Sequence, residues 1–87
     1  MGPAGWAAVA RCMAFALGSA LFGGKNNIAS ILMRHIHREI MNNNFEAANG
    51  LLRDLACRER EVYEEFLEKY GNQMSPDVLE ELKKILD

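Results

Sequence analysis

A chain of 87 residues, 49% hydrophobic and 25% charged, has room for one small globular domain and is too evenly mixed to be disordered or low in complexity. A folded chain this short buries only about 60% of its unfolded surface, so a disulfide, a metal or a second copy is the usual supplement to its core. The net charge of −2 conceals a division: residues 1–44 carry Arg11, Lys25, Arg34 and Arg38 against Glu39, a balance of +3, whereas residues 45–87 stand at −5. Such polarity steers contact between unlike halves, within one fold or between copies, and it falls short of the basic concentration of a dedicated nucleic-acid domain.

The first predicted element is an apolar helix over residues 4–22, with Pro3 suited to a helix start and Gly23-Gly24 to its end. Arg11 interrupts the apolar run, and the uninterrupted part, Cys12 to Gly24, is 13 residues. A bilayer span needs roughly 20. A secretory signal would also want positive charge ahead of its apolar region, and Gly18-Ser19-Ala20 supplies only a small-x-small site. Membrane-surface binding is disfavoured, because the helix lacks a polar face lined with Lys and Arg. Ala7, Ala10, Ala14 and Gly18 recur at helical spacing, and a stripe of small side chains lets another helix approach closely. The expectation is self-association through Ala10, Ala14, Leu17, Gly18 and Leu21, most simply as a dimer.

A second helix is predicted over 28–41, capped by Asn26 or Asn27, with Ile28, Ile31, Leu32, Ile36 and Ile40 on one side. Its far side carries Arg34 and Arg38, four apart and so on one face. His35 and His37 are two apart and point away from one another, so they cannot chelate one metal from a regular helix. Asn42-Asn43-Asn44 then breaks the chain, since asparagine side chains compete for backbone hydrogen bonds.

Helical spacing continues from Phe45 through Ala48, Leu52, Leu55, Val62 and Phe66 to Tyr70, which predicts one long helix over 45–70 with a heavily charged outer face. Gly50, inside that helix, suggests a close helix crossing. Gly71-Asn72 ends it, and Ser75-Pro76-Asp77 opens a last helix over 76–86 with a capping hydroxyl, a first-turn proline and an acid at the positive helix end. Too short to stand alone, this helix must dock on its neighbours or on a partner.

Chemistry-bearing motifs are missing. The glycines at 18 and 23 are not followed by the Lys-Ser/Thr pair of a phosphate loop, and no ligand set has metal-binding spacing. Cys12 sits in an apolar run and Cys57 beside Arg58, an arrangement suited to two free thiols in a reducing, cytoplasmic setting. The stretch Asn44-Phe45-Glu46-Ala47-Ala48 resembles the middle of a tetratricopeptide unit, but no repeat recurs at that period. The lengths of the helices between Leu51 and Leu86 are similar to those closing death-fold adaptors, without a shared motif, and no functional residue is carried over from either family.

The sequence therefore predicts an all-α bundle of about four helices in a single domain, 1–87, either completed by dimerisation through the first helix, the favoured arrangement, or built as a monomer with that helix as its central core. The expected role is non-catalytic, without cofactor or metal: an interaction or regulatory module that docks a protein on an apolar groove anchored by Tyr63, Phe66, Leu67 and Tyr70. A nucleic-acid alternative rests on Lys25, Arg34, His35 and Arg38, which would contact phosphates without reading bases.

Overall fold

A computed structural model describes residues 1–19 and 28–87. Among them stand five α-helices and no strand: α1 (Pro3–Leu17), α2 (Ile28–Met41), α3 (Phe45–Arg58), α4 (Arg60–Tyr70) and α5 (Pro76–Lys84), with a 3-10 turn at Gly71–Gln73. The all-α class and the small-bundle architecture are as the sequence predicts. Two features differ.

Helix one is shorter than expected. It closes at Leu17, where the Gly18 amide donates to Ala14 O, and the Ser19 amide and hydroxyl both donate to Ala16 O. Serine competes well for nearby carbonyls, and here it takes one of the orphans of the last turn. Leu21, Lys25 and the expected caps Asn26 and Asn27 lie outside the described residues.

The long helix is two helices. Glu59 leaves the helical region at φ −130°, ψ 60°, yet its amide donates to Leu55 O and its carbonyl accepts from Tyr63 N, so it closes α3 and opens α4 at once. The cause lies in the pattern: between Ala56 and Val62 the chain reads Cys-Arg-Glu-Arg-Glu, and the positions that would continue the buried stripe, Arg58 and Glu59, offer nothing to bury. A break there frees α4 to aim its own apolar face at α5.

α2 spans 28–41 as expected, α3 starts at Phe45 and α5 at Pro76, whereas α5 ends at Lys84, two residues before the expected 86. After Met41 the chain turns through Asn43, in the left-handed region at φ 60°. Asn44 N donates to Glu39 O and Asn43 N to Ile40 O, the paired bonds of a Schellman motif, which asparagine enters more readily than other non-glycine residues. The Asn44 amide side chain donates to Glu39 Oε2, pinning the same turn. At α5 the Ser75 hydroxyl accepts from Val78 N at 3.3 Å, with Pro76 in the first turn.

α1 lays one face on the bundle and leaves the other, with Arg11, Ala14 and Phe15, exposed. Val9, Cys12, Met13 and Ala16 are fully buried, and Trp6 stacks on Phe45 of α3 with ring centroids 5.7 Å apart. Cys12 Sγ lies 4.0 Å from Tyr70 O at the end of α4, and Gly5 faces α5 so closely that a Cβ there would come within 2.8 Å of Val78 Cγ2. α2 packs between α1 and α3, contributing Met33, Ile36 and Ile40.

The small-residue stripe is divided by this placement: Ala7, Ala14 and Gly18 face out, as does Phe15 at 55% exposure, whereas Ala10 is buried and Leu17 packs against the core.

Gly50 is a further correction. It is exposed, has no atom within 4 Å of where a Cβ would stand, and lies at an ordinary helical φ, so no helix crosses there. Gly50→Ala is expected to stabilise the fold by about 1 kcal/mol, the propensity difference within a helix, read as a raised urea midpoint at unchanged slope. A lowered midpoint would show that the outer face of α3 is occupied.

Candidate functional site

Three of the four expected anchors are structural. Tyr63 and Phe66 are fully buried and Leu67 nearly so, and only Tyr70 stays partly exposed. Tyr63 holds α5 in place. The Tyr63 hydroxyl donates to Leu82 O at 2.8 Å, satisfying a carbonyl in the last turn of α5 that the helix itself leaves open. Phe66 and Tyr70 rings pack at 5.4 Å. Sequence spacing hid this, because it shows which residues share a stripe and not which neighbour covers it.

A groove of about 770 Å³ lies between α4 and α5. Its floor is Leu67, Leu79 and Leu86, with Leu79 lying across Gly71 so closely that a Cβ on Gly71 would meet Leu79 Cδ1 at 3.0 Å. Its rim is charged: Glu64 and Glu68 from α4, and Lys83 from α5. Arg60 closes one end, donating to Leu86 O at 3.1 Å while standing 3.8 Å from Glu64. An exposed pair of this kind contributes only tenths of a kcal/mol, but the bond to Leu86 O fixes the chain after α5. Outside the groove, Glu61 and Glu65 extend the acidic surface of α4, and neither they nor Glu68 have a basic partner within 4 Å among the described residues.

The basic face sits elsewhere on the molecule. Arg34, His35 and Arg38 of α2 are all exposed, and an Arg38 guanidinium nitrogen lies 2.9 Å from His35 Nδ1. On the same side of α2, Ile28 is 52% and Ile31 43% exposed, large values for isoleucine in so small a core. The fourth residue of the expected nucleic-acid set, Lys25, lies outside the described residues.

Cys12 is buried, and burial raises its pKa with Arg11 pulling the other way, whereas Cys57 is exposed on α3. No cluster of three or more His, Cys, Asp or Glu that could hold a metal occurs among the described residues. None of the described helices is long and apolar enough to cross a membrane.

Burial also raises the Tyr63 pKa well above the usual phenol range. Both Cys12 and Tyr63 therefore keep their protons when folded at pH values where the unfolded chain releases them, from the ordinary values of 9.0 and 10.0 upward. The native state then binds more protons, so stability is whole below about pH 9 and falls as pH rises beyond it. Thermal melts from pH 7 to 11 test this, and a melting temperature that rises above pH 9 contradicts the burial of both groups. Thiol labelling offers a companion reading: Cys57 is expected to react in the folded protein and Cys12 only on unfolding.

Compared with protein-family models, with curated proteins and with solved structures, the chain matches none, so the reading of the site rests on its own chemistry.

Proposed function

We propose that the chain is a non-catalytic helical interaction module, an adaptor or regulatory subunit, that docks a protein partner in the groove between α4 and α5 and also self-associates. The observation that carries this reading is the groove itself: an apolar floor of Leu67, Leu79 and Leu86 under charged rims, the composition of a helix-binding surface. Two unpaired thiols, one of them exposed, fit a reducing compartment and a cytoplasmic role.

Affinity capture with the intact chain, compared with Leu79→Asp, tests the reading. Leu79 is only half-buried, so the variant keeps its fold while placing a charge on the groove floor. The expected result is a protein retained by the wild type and lost by Leu79→Asp at unchanged circular dichroism. Retention of the same proteins by both would place docking elsewhere.

The exposed Arg34, His35 and Arg38 support a second reading, phosphate contact to a duplex. It predicts binding that weakens steeply and linearly on a log–log salt plot, which apolar docking does not.

A further inference from the structure

We infer that the occupant of the α4–α5 groove is α2 of a second copy of this chain, seated antiparallel to α4. The inference rests on the groove reading above and names its partner. Three independent features match.

The charges are complementary and equally spaced. Arg34 and Arg38 are exposed, four apart, and rise about 6 Å along α2; Glu64 and Glu68 on the groove rim are four apart and rise the same distance along α4. An antiparallel alignment sets Arg38 against Glu64 and Arg34 against Glu68.

The apolar parts then fall into register. Ile31 stands three residues before Arg34, and Gly71 three residues after Glu68, so the alignment that pairs the charges carries Ile31 to the level of Gly71. There Leu79 lies across the glycine and, with Leu67, forms the floor. Ile31 and Ile28 are exposed where a core helix would bury such residues, and this contact covers them.

Within one chain these two faces do not meet. The Arg38 side chain is engaged by His35, Glu64 has Arg60 beside it, and Arg34 and Glu68 have no charged partner within 4 Å among the described residues. The two faces are different surfaces of the same chain, so the contact is head-to-tail: each copy offers α2 to one neighbour and its groove to another, giving a ring or an open chain. The bipolar charge of the sequence, +3 in residues 1–44 and −5 in residues 45–87, steers copies into this orientation.

Sedimentation of the full chain at low salt tests the inference, using Arg34→Glu/Arg38→Glu and Glu64→Lys/Glu68→Lys. All four positions are exposed, and circular dichroism confirms that each variant is folded. The wild type is expected to associate with rising concentration and to dissociate as salt screens the charges. Each double variant alone is expected to weaken association by about tenfold or more, and an equimolar mixture of the two to recover it, because every α2 then faces a groove of opposite sign.

A wild type still at 9.8 kDa at about 1 mM overturns the inference. So does association that neither variant weakens, or a mixture that stays dissociated. Loss of binding to a duplex oligonucleotide in the arginine variant, without any self-association in the wild type, assigns the basic face to phosphate instead. If the inference fails while Leu79→Asp still loses a captured protein, the groove reading stands with a different occupant. If capture is indifferent to Leu79→Asp while the charge mixture recovers association, self-association survives and the heterologous partner does not.

Discussion

Tyr63→Ala is expected to lower folding stability by about 3–5 kcal/mol, the range for removing a large buried aromatic side chain. The residue is fully buried and its hydroxyl is the donor that reaches Leu82 O from α4. Tyr63→Phe separates the two contributions: the ring stays, the carbonyl in the last turn of α5 loses its donor, and the expected cost is about 1–3 kcal/mol. Urea unfolding of both variants reads the difference. A Tyr63→Ala chain of wild-type stability would mean that the ring is free to dock a partner and that α5 is held by other contacts.

Trp6→Ala is expected to cost about 3–5 kcal/mol as well, and here the size of the loss decides where α1 belongs. A domain of this length has roughly 4–13 kcal/mol of total stability, so this loss removes a large part of it. The side chain is 5% exposed and stacked on Phe45 at an interplanar angle of 9°. The cost should be the same at low and high protein concentration, because the contacts are made within one chain. A cost that vanishes on dilution would return α1 to an interface between copies.

Much of this architecture is legible in the residues. Ser75-Pro76-Asp77 and the three asparagines at 42–44 mark their boundaries because each acts locally, through a cap or a left-handed turn that neighbours in space do not alter. The break at Glu59 was also written there, as a gap in the apolar stripe filled by Arg58 and Glu59, but a gap reads equally as a charged patch on a continuous helix. Sequence spacing could not say which side of α1 is covered, because that helix is apolar nearly all round and only the other helices choose its buried face.

The site divides in the same way. The amphipathic patterns of α4 and α5 lead the sequence to expect a groove with charged rims beside the last helix, and the groove between these helices is lined by Leu67, Leu79 and Leu86 with Glu64, Glu68 and Lys83. Its floor residues are different from the expected anchors, save Leu67, because Tyr63 reaches α5, Phe66 is fully buried and Leu79 supplies the open surface. Ile28 and Ile31 do not share a side with Ile36 and Ile40 as the sequence expectation has it: at 3.6 residues per turn Ile31 lies opposite Ile40, and the fold buries Met33, Ile36 and Ile40 while these two turn outward.

The account as a whole holds that the buried face of α1 is packed within each chain and that contact between copies uses α2 and the α4–α5 groove. Methyl spectra recorded over a concentration series test both halves at once. The methyl signals of Ile28, Ile31, Leu79 and Leu86 are expected to move with concentration, while those of Val9, Met13 and Met33, all fully buried, stay where they are. Movement of the Val9 and Met13 signals with Ile31 and Leu79 unmoved would contradict it.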